Sequence, residues 1–275
     1  MFTYLFGGFG GRRDIFLTIS ASEADYDLFA AAGSPTDPVN VFVTVESATV
    51  LYGSTTGLPG FKTGSAWAAH TELTLTNEGH ILGMGGDGGE GASQVYTGQG
   101  DCSNTTPATD GLPGGDAMNL GWDITIDNTN GNIFGGGGGA GGQGCGHIAN
   151  QEVAPGGGGG GGAGGNLTAH SSGGIAGVAS GASVVYTGCD GTDGTGGATG
   201  QGGDSGGVTL TTCPGDSYGG NGGGDYGEVG YTSTFSICTD TEGDGAIAGK
   251  AIELGGYAIT WLGGNNASQV KGDVT

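Results

Sequence analysis

"GCDGTDGTGGATGQGGDSGG", residues 188–207, sets Gly188, Gly191, Gly194, Gly197, Gly200, Gly203 and Gly206 in one unbroken register of three. Period three is the repeat of the polyproline II helix, which rises ~3.1 Å per residue and forms no internal hydrogen bonds. Its N–H and C=O groups point outward and, inside a folded protein, must find partners. A glycine column lets neighbouring helices approach until backbone bonds to backbone. The seven glycines are therefore read as structural, and the stretch as one member of a polyglycine II bundle.

The same stretch holds Gly203-Asp204-Ser205-Gly206-Gly207, the string around the nucleophile of chymotrypsin-like proteases, and His70 and Asp123 precede it in the order of that triad. The glycine register accounts for the string without catalysis, because Asp204 and Ser205 occupy the columns that Asp190, Thr192, Asp193 and Thr195 fill earlier. The protease fold also needs two barrels with filled interiors, which such tracts cannot supply. No catalytic residue is assigned and no enzyme is expected. His70 reads as a turn residue ahead of a strand.

Glycine supplies 71 of the 275 residues, against a background of roughly 7%. It has no side chain to bury and loses the most backbone entropy on folding, so an apolar core cannot be the main source of cohesion. Gly- and Ser-rich chains are ordinarily flexible. Nine Tyr, nine Phe, three Trp and a hydrophobic fraction of 35% argue for a folded chain instead. Collagen is excluded, because the tracts are short and carry almost no proline.

Twenty-seven acidic residues face five basic ones, a net charge of −22. A surface of that sign repels phosphate backbones and anionic headgroups, so neither nucleic acid nor direct membrane insertion is expected. No apolar run approaches the ~20 residues that span a bilayer, and "MFTYLFGGFGG" lacks a basic n-region, so secretion by the general route is not expected. Cys102, Cys145, Cys189, Cys213 and Cys238 are odd in number and without CxxC spacing. They indicate neither a zinc site nor a complete disulfide framework; metals and cofactors are expected to be absent.

Outward from the glycine tracts the pattern changes to period two. "DIFLTIS" (14–20), "VNVFVTVES" (39–47) and "TELTLTN" (71–77) alternate apolar and polar residues as half-buried strands do. "SEADYDLFAAAG" suggests a short helix with Ser22 as N-cap and Gly33 as stop. The fold class expected is mainly β and irregular: an N-terminal β-rich attachment domain over 1–82, a polyglycine II bundle with connecting loops over 83–248, and a short C-terminal β-segment over 249–275.

Two kinds of repeat stand out. "GASQVYTG" (91–98) recurs as "GASVVYTG" (181–188), and a looser unit recurs as "LTLTNEGHILGMGGDGG" (73–89), "ITIDNTNGNIFGGGGGAGG" (124–142) and "LTAHSSGGIAGVASG" (167–181). Each looser unit reads as a strand, a polar turn, an isoleucine and then glycines. The isoleucine is expected to plug the end of the bundle.

These units, the stacked tracts and the ending "GKAIELGGYAITWLGGNNASQVKGDV" (249–274) resemble the glycine-rich tail-fibre and tail-tip proteins of tailed bacteriophages. The resemblance covers most of the chain from about Asp14. It implies a polyglycine II sandwich, made in the host cytoplasm and carried at the distal end of the virion tail. It also implies other tail or fibre proteins as partners and a bacterial surface receptor, protein or glycan, contacted through interhelix loops. A three-fold fibre tip admits either a homotrimer or a single capping copy.

The segments 100–110, 146–155, 212–220 and 224–233 are rich in Asn, Ser, Thr, Gly and Tyr, the palette of adaptable binding loops. Tyr218, Tyr226 and Tyr231 are expected to form one exposed aromatic patch that meets the receptor together with His147 and Glu152. An alternative class is a non-phage glycine-helix protein such as an ice-binding protein, with "TDGTGGAT" (192–199) on a flat Thr/Ala face. No clean GGxGxDxUx repeat points to a calcium-binding β-roll.

Overall fold

The structure, a computed structural model, describes residues 3–5, 12–96, 102–142, 146–148, 152–154, 161–164, 179–180, 223–232 and 243–275. It divides into two units: Met1–Met84, Gly115–Gly135 and Lys250–Thr275 form one, and Gly85–Gly114 with Gly136–Gly249 the other.

In the first unit the chain runs repeatedly through three sheets in the same order. β1 (Thr3–Leu5) lies antiparallel on β2 (Arg13–Ile19), and the chain continues through β3 (Glu23–Ala24), β4 (Tyr26–Asp27) and a one-turn helix α1 (Leu28–Ala31). The second coil is β5 (Val39–Val45), β6 (Val50–Tyr52) and β7 (Phe61–Lys62). The third is β8 (Glu72–Asn77) and β9 (His80–Leu82); β10 (Ser93–Tyr96) and β11 (Cys102–Thr106) of the second unit intervene before it closes with β12 (Met118–Asn119). The fourth is β13 (Ile124–Asp127) and β14 (Asn132–Phe134), completed by β18 (Ile252–Glu253) after β15 (Gly146–Ile148), β16 (Glu152–Ala154) and β17 (Ala179–Ser180). β19 (Ile259–Gly263), β20 (Val270–Lys271) and the bridge of Val274 to Ile252 make the fifth.

Equivalent strands stack in parallel. β2, β5, β8, β13 and β19 form one face, β3, β6, β9, β14 and β20 a second, and β4, β7, β12 and β18 a third. This is a three-sided parallel β-solenoid. Its core includes three columns of paired residues, one from each face, Leu17–Val43–Leu75–Ile126, Leu51–Ile81–Ile133 and Tyr26–Phe61–Met118–Ile252, all buried. Each buried aliphatic side chain contributes roughly 1.5–3 kcal/mol. The period-two strands supply the first column because alternate residues share a face.

An asparagine ladder ties one corner. Asn77 and Asn128 are both buried; Asn77 Nδ2 donates to Asn128 Oδ1 at 2.7 Å, and Asn128 Nδ2 donates to the Gly264 carbonyl at 2.9 Å. Gln269 Nε2 donates to the Asn128 carbonyl at 3.0 Å. At the same corner the Asp127 carboxyl is held below its ordinary pKa by hydrogen bonds from the Thr129 hydroxyl and amide.

Both glycine-rich excursions leave the solenoid after a second-face strand and return to a third-face strand, on successive coils. Residues 115–135 therefore belong with the β-unit rather than with one continuous glycine block over 83–248, and 250–275 joins the same solenoid rather than standing as a separate segment. The first two looser repeats begin as successive coils, Leu75 opposite Ile126 and Ile81 opposite Ile133. Ile81 and Ile133 fill the solenoid core and do not plug a bundle end; Ile175 of the third repeat lies outside the described residues. The helix also differs from expectation. Residues 23–24 and 26–27 pair as strands, so Ser22 Oγ accepts from the Val50 amide while Asp27 caps α1 through the Ala30 amide. Gly33, at φ +82°, ends it as expected.

Tyr26, buried and stacked on Phe61 at 5.7 Å between centroids, has its pKa pushed up to about 12, mainly by burial and further by Glu23 and Asp27. A raised folded pKa means stability present below about pH 10 and lost as pH rises toward 12, on the order of 2–3 kcal/mol. Urea titrations of wild type and Tyr26→Phe across pH 9–12 should show that decline in wild type and a weaker one in the variant. Parallel curves would contradict the burial of this hydroxyl.

Candidate receptor-binding surface

The second unit is held by hydrogen bonds between segments with no assigned strand. Along residues 136–142 the bonds recur every third residue: Gly138 N–H to Glu228 and Gly141 N–H to Tyr231, Gly139 to Leu112 and Gly142 to Thr109, and Ala246 to Gly139 with Gly243 to Gly142, at 2.9–3.2 Å. Gly86 and Gly89 donate to Gly137 and Ala140, Gly137 donates to Ala163, and Gly138 accepts from Gly224. Six described segments, 85–91, 109–114, 243–249, 228–232, 223–226 and 161–164, thus surround 136–142. Cross-bonds such as Leu112 to Asp87, Gly111 to Asp244, Gly230 to Ala246, Ala163 to Gly224 and Gly162 to Gly86 close the ring.

That packing explains the composition. A Cβ on Gly137 would fall against Gly224, one on Gly138 against Ala246 and one on Gly139 against Asp87, in every case against backbone and closer than the 3.0 Å that real Cβ contacts respect. At Gly137, Gly138 and Gly139 all three directions are blocked, and the segment is glycine throughout except for Ala140, one period beyond Gly137. Outer segments need fewer glycines. In 85–91 the free column carries Asp87 and Glu90; in 109–114, 228–232 and 243–249 exposed side chains include Leu112, Val229, Tyr231 and Ile247.

Of the five residues expected to touch a receptor, Tyr231 is exposed, at 61%. Tyr226 is not. It stands three residues after Gly223, in the column that faces Gly161, and is 5% exposed with its hydroxyl donating to the Gly164 carbonyl at 3.1 Å. It is a packing residue, and the expected three-tyrosine patch loses it. His147 and Glu152 lie on the antiparallel pair β15–β16, opposite Val153 and Ile148. Tyr218, Ser205 and the glycines from Gly188 to Gly206 lie outside the described residues. The segment 224–233 is not a loop over its described part, since 228–232 bonds into the ring. In the other unit His70 sits in a turn at φ +71°, and the Asp123 carboxylate accepts from the Ala258 amide at 2.8 Å.

The family described as "Phage tail fibre adhesin Gp38" matches residues 14–275. The chain belongs to this family. As a phage tail fibre adhesin it is a component of the virion tail, and the family is an adhesive, structural one. A solved structure, titled "Crystal structure of the gp37-gp38 adhesin tip complex of the bacteriophage S16 long tail fiber", matches with a TM-score of 0.51 and 20% identity, over 96% of the adhesin chain and 83% of the other. At that identity the likeness is one of fold. No curated protein matches. Among the described residues no helix of the adhesin is long and apolar enough to cross a membrane.

Proposed function

We propose that the protein is the receptor-binding component at the tip of a phage tail fibre, with the solenoid as the attachment unit and the glycine unit as a polyglycine II bundle that presents binding segments. The period-three hydrogen bonding around residues 136–142 carries this reading. A bundle held on all sides by backbone bonds makes a rigid base from which variable segments project without disturbing the fold.

For attachment, the S16 complex supplies the precedent of a partner fibre protein. In the fifth coil of this chain Ile259, Trp261 and Val270 face the core yet stay half-buried, and β19 and β20 have no further strand beside them among the described residues. Such an end suits stacking against another fibre protein.

For recognition, His147, Glu152, Tyr218 and Tyr231 remain the proposed contacts, together with the segments 100–110, 146–155 and 212–220. A surface receptor, protein or glycan, is the proposed target. Virions carrying Tyr218→Ala with Tyr231→Ala should assemble normally and adsorb to host cells at least about tenfold more slowly, the scale of a lost hot spot. Unchanged adsorption by correctly assembled particles removes these residues from the contact.

A further inference from the structure

On the outer side of the first solenoid face, Phe16, Phe42, Thr74, Thr125 and Thr260 stand at one level, each in register with the next. Their neighbours along each strand face the core, so these five point away from it. The two phenylalanines stack at 5.1 Å between centroids and are 40% and 38% exposed. The Thr74, Thr125 and Thr260 hydroxyls make no hydrogen bond among the described residues. Around those threonines lies an open groove of about 440 Å³, lined also by Glu72, Asp123 and Trp122, within the roughly 300–1,000 Å³ of ligand pockets. Each of these three side chains is held in place. The Trp122 indole N–H donates to the Thr71 carbonyl at 3.0 Å, Glu72 pairs with Arg12 at 2.6 Å, and Asp123 Oδ1 accepts from the Ala258 amide at 2.8 Å, which leaves Oδ2 for a ligand.

Hydroxyls that donate and accept, carboxylates that accept and a fixed aromatic ring match the chemistry of a pyranose, whose hydroxyls need both kinds of partner and whose C–H face suits an aromatic surface. The row repeats at the strand spacing of ~4.8 Å, close to the length of one sugar residue, so it offers a group to each successive ring. We propose that this face of the solenoid is a binding track for a neutral saccharide chain lying across the strands, hydrogen-bonded in the groove and stacked on Phe42 and Phe16 beyond it. Charge and polarity select this class. Glu72, Asp123 and a net charge of −22 repel phosphorylated, sulfated or sialylated glycans. A protein partner needs an apolar centre, whereas the groove centres on threonines with carboxylates beside them.

The track lies on the solenoid and is tested without Tyr218, Tyr231 or adsorption, so its failure leaves the receptor reading untouched. Purified full chain is titrated calorimetrically with tri- and hexasaccharides of glucose, galactose and mannose and with their sulfated forms, for wild type, Thr125→Val/Thr260→Val and Phe42→Thr, with unchanged melting as the fold control. A trisaccharide covers the three groove strands; a hexasaccharide reaches the phenylalanines. At least one neutral series should bind, the valine variant should bind it at least about tenfold more weakly, and Phe42→Thr should weaken the hexasaccharide while leaving the trisaccharide unchanged. No binding by any neutral series, tighter binding of a sulfated form, wild-type binding by the valine variant, or equal effects of Phe42→Thr on both lengths overturns the proposal. Intact virions should bind the same saccharide through the adhesin they carry; loss of binding on assembly assigns the face to a tail-protein partner and overturns it as well.

Discussion

Gly139→Ala should abolish ordered folding of the glycine unit. Its added Cβ meets the Asp87 carbonyl oxygen and carbon closer than 3.0 Å and the Gly86 oxygen at 3.0 Å, all backbone. Its N–H and C=O are bonded to Leu112 and Ala246 on other sides, so the segment cannot move away without breaking them. Ordinary overpacking costs about 1–3 kcal/mol because side chains yield. Here nothing yields, and the cost should exceed that range. Gly57→Ala is the control, since the nearest atom to its Cβ is Thr55 Oγ1 at 3.9 Å, and its effect should stay within about 0.5 kcal/mol. Calorimetry of the two variants decides the matter, and equal tolerance would refute the close approach.

Asn128→Ala should cost the solenoid about 3 kcal/mol in urea unfolding. The substitution leaves the Gly264 carbonyl and one Asn77 N–H without their partner at a buried corner, and an unsatisfied buried polar group costs ~1–3 kcal/mol each. Asn128→Asp should be worse at neutral pH than at pH 4. Burial raises the pKa of the new carboxyl above its unfolded value, so the penalty is present while it must be charged and is relieved on protonation. A loss below about 0.5 kcal/mol for alanine would mean that the ladder does not hold the coils.

The long first-face strands were legible because seven residues such as RDIFLTI or VNVFVTV show their period. The solenoid was not, because its other faces are strands of two or three residues, EA, YD, FK and MN, too short for any period to register. Two of its third-face strands also follow long glycine excursions, which hides the repeat of the coil. Glycine register announced close backbone packing, but the longest register does not mark the described centre. The number of glycine columns does: three at 136–142, where six segments surround one, and fewer at the rim. Composition alone puts Tyr226 in an exposed patch, whereas its spacing of three from Gly223 puts it in an inward column. Leu112, Val229 and Ile247 carry the opposite signal, large apolar residues in columns that face out.

Amide hydrogen exchange at residues 136–142 tests most directly whether glycine forms the inside of this adhesin. The amides of Gly137, Gly138, Gly139, Gly141 and Gly142 point at carbonyls of surrounding segments, so these five should exchange only on unfolding of the unit, with protection matching that of Leu75 and Ile126 in the solenoid or approaching it. Exchange at the rate of an unstructured glycine linker would contradict the account.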